Sequence, residues 1–208
     1  MDAKLFQFFR LLELTRSQLQ SGYVSSGIPK TEISDLAQHH YLVTVFAWQL
    51  VRVVKEAHGK INGERVLEIC LVHDLGEIFG GDIGMPYALA NPKARQAAKK
   101  FERENQRYLA QVFAKMKLSR LFKEAMEPHT DEALVAKIAD YLETVHFKLY
   151  VGHLTKNDVI MFEERVSNFV KQIGDQLTKR AISKFVKDWS KCLNNQKAAE
   201  LFDADKLR

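Results

Sequence analysis

The chain has 208 residues and a mass of 23.9 kDa, the length of one domain, enough to bury about 70% of its unfolded surface without disulfides. With 46% hydrophobic and 27% charged residues and a mean hydropathy of -0.25, wholesale disorder and collagen-like repeats are excluded. The net charge of +5 is concentrated at one end: from Lys171 to Arg208 there are nine Lys/Arg against five Asp/Glu. There Phe185, Val186, Trp189 and Cys192 alternate with lysines at helical spacing. That pattern reads as an amphipathic helix with solvated lysines rather than a nucleic-acid surface. Cys70 and Cys192 form neither a disulfide framework nor a paired zinc motif, which suits a reducing, cytoplasmic setting. The N-terminus lacks the apolar core and cleavage site of a signal peptide, and no run of apolar residues is long enough to span a membrane.

In chain order, the first helical pattern extends from Ala3 to about Leu19, followed by the loop SGYVSSGIPK. Thr31 or Ser34 is placed to cap the next helix, whose stripe of Leu36, Val43, Ala47, Leu50 and Val54 runs towards Ala57. His58-Gly59 ends it. Asn62 caps a third helix expected to reach about Ile78, and Gly80-Gly81 then breaks the chain. Asn91-Pro92 opens a charged helix to about Met116, Thr130 starts another, and Thr155 to Asp158 has the pattern of a capping box before two further helices. The only strand-like runs, YVSS and VFA, are too short to form a sheet. The expectation is an all-α bundle of about seven or eight helices.

Ligand-type residues interrupt this apolar pattern. His73 and Asp74 follow directly on Ile69-Cys70-Leu71-Val72, where unpartnered burial would be costly. A divalent cation would offset that cost, because neutral imidazole and ionised carboxylate are both ligands. Glu77 lies one helical turn after His73, and Asp82 follows in a glycine loop able to fold back towards the same place. His39-His40 sits in the striped second helix and Asp140 interrupts KIADYLE. Spacing alone does not choose between His39 and His40, which flank the same stripe.

Four motifs in register carry a resemblance: Leu36-Ala37-Gln38-His39, His73-Asp74-Leu75-Gly76-Glu77, Gly81-Asp82-Ile83, and Ala139-Asp140-Tyr141-Leu142-Glu143. In these the chain resembles the HD-domain metal-dependent phosphohydrolases, and looks closest to the small 5′-deoxynucleotidases. The likeness spans about residues 8 to 150, so residues 1–208 are expected to form a single HD-type domain with C-terminal helices over 155–195 packed on it. The resemblance implies that His39, His73, Asp74 and Asp140 bind one divalent metal ion (Mn²⁺, Co²⁺, Fe²⁺ or Zn²⁺), with His40 outside. It implies that Glu77 and Asp82 handle proton transfer. It further implies a nucleotide substrate, phosphate release from nucleoside 5′-monophosphates, and a homodimer. An HD triphosphohydrolase or phosphodiesterase is the alternative within the class, and a catalytically silent nucleotide- or nucleic-acid-binding protein the alternative outside it.

Two departures bear on substrate choice. Gln38 stands where relatives carry an acid, and the Arg-Trp pair of the deoxynucleotidases' N-terminal loop is replaced by Arg16-Ser17, with Tyr23 further on. Arg16 and Tyr23 are the substrate-contact candidates from that loop. KARQAAKKFERENQR, with six Lys/Arg and two Glu, adds Lys99, Lys100 and Arg103 as candidate phosphate contacts. Phe46 and Trp48 are read as core or subunit-interface residues, Cys70 as core, and His129, His146 and His153 as loop or helix-surface residues.

Overall fold

A computed structural model describes residues 2–193. It is all-α: α1 (Ala3–Leu12), α2 (Leu36–Glu56), α3 (Gly63–Val72), α4 (Met85–Ala90), α5 (Pro92–Val112), α6 (Leu118–Met126), α7 (Asp131–Tyr150), α8 (Lys156–Gln172) and α9 (Gln176–Leu193). Among the described residues the only β-type pairing is an isolated bridge between Leu19 and Asp35, and no helix is long and apolar enough to cross a membrane. The expected tail helix is α9, whose Phe185, Val186 and Trp189 pack on the core and which carries the basic excess of the tail; residues beyond 193 lie outside the described residues.

The helix starts follow the cap chemistry. Asn62, Asn91 and Thr130 each accept the backbone N–H three residues on, and Thr155 and Asp158 form the reciprocal capping box. α2 departs from expectation: its cap is Asp35, whose Oδ1 accepts from the Gln38 N–H at 2.8 Å. Ser34 is otherwise engaged, donating its hydroxyl to Gln20 Oε1 at 2.9 Å.

Three helices end earlier than periodicity suggests. α1 stops at Leu12, where the Thr15 hydroxyl donates to the Leu12 carbonyl, and a 3-10 turn follows. α5 gives way to a 3-10 turn over Ala114–Met116, closed by Lys117 at φ 52°. Most consequentially, α3 stops at Val72 and the chain tightens into a 3-10 turn over Leu75–Phe79. That turn presses against α5 so closely that a Cβ on Gly76 would meet the Glu102 carbonyl oxygen at 3.0 Å. Apolar periodicity cannot register such a change of helix type, because both forms place side chains three to four residues apart on one face.

α2 and α7 form the central pair, with α3 laid against both and α8 and α9 closing the outside. Every residue of the α2 stripe is buried, meeting Val66 and Ile69 of α3, Leu134, Ile138 and Leu142 of α7, and Val166 and Ile182 from the tail helices. Burying an aliphatic side chain of this kind contributes roughly 1.5–3 kcal/mol relative to exposure. Phe46 packs partly into this core, whereas Trp48 is 49% exposed and its ring lies near the Arg52 guanidinium.

Candidate metal centre and its cavity

The central helices bring His39 of α2, His73 and Asp74 at the end of α3, and Asp140 of α7 to one point. His39 Nε2 lies 3.1 Å from His73 Nε2, 3.6 Å from Asp74 Oδ2 and 3.4 Å from Asp140 Oδ1. His73 Nε2 is 3.2 Å from Asp74 Oδ2 and 3.9 Å from Asp140 Oδ1.

The outer ring nitrogens fix what occupies the inner ones. His39 Nδ1 is 2.7 Å from Glu143 Oε2, and His73 Nδ1 is 2.8 Å from the Cys70 carbonyl. A carboxylate and a carbonyl only accept, so both Nδ1 atoms donate, and each Nε2 is left to present its lone pair to a cation. Two lone pairs facing each other beside two carboxylate oxygens repel unless a positive charge lies between them. Burial alone would hold the His39 imidazole down, yet Asp140, Asp74 and Glu143 drive its pKa well above the usual range, so this point favours a cation. The donor set therefore fits a divalent metal with mixed nitrogen and oxygen ligands.

His40 takes no part in this cluster. Its ring packs on His73 with centroids 4.8 Å apart, its buried Nε2 has no hydrogen-bond partner, and burial beside His73 pushes its pKa down to about 3. Cys70 contributes its carbonyl, while its thiol is buried and pushed up by that burial. His129 is exposed, and His146 stacks between Phe46 and Trp189, accepting from Trp189 Nε1 at 2.9 Å.

The cluster opens into a cavity of about 500 Å³. Glu77 and Asp82 line it, as expected, and burial together with the nearby Asp74 pushes both carboxyls up. Asp74 and Asp140 go the other way: although burial would raise them, the histidines, and for Asp140 the Lys137 ammonium, hold them low. Lys99 lines the cavity, whereas Lys100 does not. Arg16 is turned away, 72% exposed and paired with Glu13 at 2.7 Å. Tyr23 is not in the cavity wall either: its ring rests on Phe147 with centroids 4.7 Å apart.

Several residues of the site were not foreseen. Lys137 Nζ donates to Asp140 Oδ2 at 2.7 Å, Glu102 reaches the carboxylate group of Asp74 and Glu77, and Arg95 and Arg165 complete the cationic wall. Arg165 donates to the Tyr141 hydroxyl at 2.7 Å. Burial beside Asp74 raises Glu102 to about 7. The one available signal was Lys137, one helical turn before Asp140.

An all-helical bundle closing around two imidazoles and two carboxylates defines a metal-centre architecture. The HD domain profile matches residues 12–184, and the chain belongs to that family. It is 27% identical over 191 residues to a 5′-deoxynucleotidase of Pasteurella multocida, covering 89% of this chain and 87% of that one. Against a 5′-deoxynucleotidase of Yersinia pseudotuberculosis it is 29% identical over 138 residues, covering 62% and 68%. The fold is shared with a conserved hypothetical protein of Pyrococcus furiosus (TM-score 0.61, 21% identity, covering 85% of this chain and 98% of that one). It is also shared with a protein of Pyrococcus horikoshii (TM-score 0.61, 23% identity, covering 92% and 96%).

Proposed function

We propose that the protein is a metal-dependent phosphomonoesterase acting on nucleoside 5′-monophosphates, with deoxyribonucleotides among its substrates. The observation that carries this is the pairing, in one cavity, of a cation-seeking His/Asp cluster with two carboxyls, Glu77 and Asp82, that the cluster does not use. The resemblance to relatives named 5′-deoxynucleotidases supports the substrate class.

His39, His73, Asp74 and Asp140 would hold the ion. When bound, it supplies Lewis acidity, lowering the pKa of water and polarising a phosphoryl oxygen. The remaining work falls to this chain's own groups. In-line attack on phosphorus needs a base for the water and an acid for the departing 5′-oxygen, and Glu77 and Asp82 divide those tasks. Lys137, fixed on Asp140, and Lys99 offer N–H donors to the non-bridging oxygens. Glu143 and the Cys70 carbonyl hold the two imidazoles in the tautomer that presents Nε2.

Charge balance favours one phosphate over three. Four cations (Arg95, Lys99, Lys137, Arg165) and a divalent ion face five carboxyls (Asp74, Glu77, Asp82, Glu102, Asp140); with the raised Glu77 carboxyl protonated the excess is +2, which one phosphate dianion offsets. Monophosphates are therefore expected to react at least ~10-fold faster than triphosphates, about 1.4 kcal/mol in transition-state free energy. With Arg16 turned outward and no tryptophan beside it, discrimination between deoxy and ribo sugars should be weak. Competition between dAMP, AMP and dATP at equal subsaturating concentration, with Mn²⁺ or Co²⁺, measures both ratios. Dominant release of tripolyphosphate from dATP would reject the monophosphatase reading. A homodimer is part of the proposal, and sedimentation of the purified chain tests it.

A further inference from the structure

We propose that the N-terminal loop is a working part of the reaction site, with the Gly22 backbone amide as the positioning group for the Asp82 carboxylate. This rests on the reading of Asp82 as a proton-transfer residue and adds to it the device that aims the side chain.

Gly22 N–H donates to Asp82 Oδ2, sixty residues away in sequence, and the neighbouring Ser21 hydroxyl donates to the Asp82 carbonyl at 3.2 Å. Oδ1 has no hydrogen-bond partner among the described residues, so one oxygen is fixed and one is free. Asp82 itself follows two glycines at φ 91° and 103°, a backbone that gives its side chain no helical scaffold. Its orientation therefore depends on contacts from elsewhere.

The loop is well anchored for that task. The 3-10 turn Ser21–Ser26 is tied to the start of α2, where Gln20 N–H donates to the Ser34 carbonyl at 3.1 Å and Leu36 N–H to the Gln18 carbonyl at 2.9 Å. Tyr23 pins it to α7 through Phe147. On the other side, a Cβ on Gly84 would overlap Ser25 Oγ at 1.4 Å and meet the Gly22 carbonyl at 2.5 Å, so the two loops are in close contact.

Gly22 makes the idea testable with one methyl group. Its φ is not in the left-handed region, so alanine fits the backbone, but its Cβ would lie 2.6 Å from Asp82 Oδ1 and 2.9 Å from Oδ2. The carboxylate, as the movable end of a side chain, must swing away. Misplacement of a reacting group by ~1 Å costs up to ~10²-fold in rate.

The experiment is a double-mutant cycle of Gly22→Ala and Asp82→Ala on the metal-loaded chain with dAMP, reading kcat, KM and metal content, alongside NMR of the Gly22 amide through a pH titration. Gly22→Ala is expected to lower kcat ~10- to 100-fold with KM and metal content nearly unchanged, and to add nothing in the Asp82→Ala background. The Gly22 amide proton should shift with ionisation of a carboxyl and lose that shift in Asp82→Asn. Full kcat in Gly22→Ala overturns the proposal, as does an equal loss in both backgrounds, which would mark the loop as structural only. Full activity of Asp82→Ala also overturns it, while leaving a phosphohydrolase in place. If the wild-type chain hydrolyses no nucleotide, the function fails but the amide titration still decides the contact: tracking sustains it, and a pH-independent amide removes it.

Discussion

The two halves of the site use the same carboxylate chemistry on opposite kinds of backbone. His39 projects from the first turn of α2, Asp140 and Glu143 from the middle of α7, and His73 completes the cluster at the end of α3. Glu77 and Asp82 ride on a 3-10 turn and a glycine loop, and neither makes a side-chain bond to another side chain. The electrostatics divide in the same way. Asp74 and Asp140 are held ionised by histidines and Lys137, whereas Glu77, Asp82 and Glu102 are buried among like charges and pushed up. A group that must stay ionised to bind a cation is built into a rigid, charge-paired frame. The groups to which the proposed function gives proton transfer lie where desolvation and neighbouring anions raise their pKa.

The sharpest way to break this contrast is to remove the frame. His73→Ala or Asp74→Ala should lose the metal and abolish phosphate release, as chelation should in the wild type; elemental analysis and a phosphate assay read both. If His40→Ala instead released the ion while His39→Ala retained it, the assignment of the two histidines would be reversed. A smaller effect is expected on the other half: Glu77→Gln should keep the metal and lose ~10²-fold or more in kcat, the usual scale for a general acid or base. Normal turnover at full occupancy would take Glu77 out of the chemistry.

Glu143 sharpens the comparison, since it would act on a bound ion only through its 2.7 Å bond to His39 Nδ1. Glu143→Ala should weaken metal affinity ~10- to 100-fold by calorimetry, with Glu143→Gln recovering part of it because the amide oxygen still accepts from Nδ1–H. Unchanged affinity in both variants would mean that packing alone orients His39. At the cavity rim, Lys99→Ala should raise KM about 5-fold with little change in kcat, a ~1 kcal/mol contact of the size expected for a partly solvated charge.

The smallest effect lies outside the site. Asp158 is partly buried, which would raise its pKa, but bonds from Lys148 and Thr155 hold it below the ordinary 3.8. A depressed folded-state pKa means the capping box contributes stability above about 3.8 and loses it as pH falls through the lower folded value. Asp158→Asn should therefore cost roughly 1 kcal/mol at pH 7 by urea titration, and progressively less as pH falls below 3.8.

The sequence specified more of the frame than of the cavity. Apolar stripes and capping residues locate the starts of α5, α7 and α8 and most of α2, because cap bonds and helical periodicity are local in the chain. Ligand-type residues breaking those stripes marked the four groups that converge. The end of α3 was misplaced by about six residues, since the 3-10 turn there is imposed by α5 pressing on Gly76 rather than by any local signal. The family motif points to Arg16 as a substrate contact, yet the fold turns it outward onto Glu13.

By itself, then, the amino-acid order determined the all-helical class, most helix starts and the residue types able to hold a cation, all consequences of interactions within a few residues. Only the tertiary structure decided which atoms of those residues meet. It set Glu143 behind His39, drew Lys137 onto Asp140, gathered Arg95, Lys99, Glu102 and Arg165 around one cavity, and put the Gly22 amide on Asp82. Those contacts depend on how helices cross and which way side chains point, and both are fixed by close packing between segments far apart in the chain.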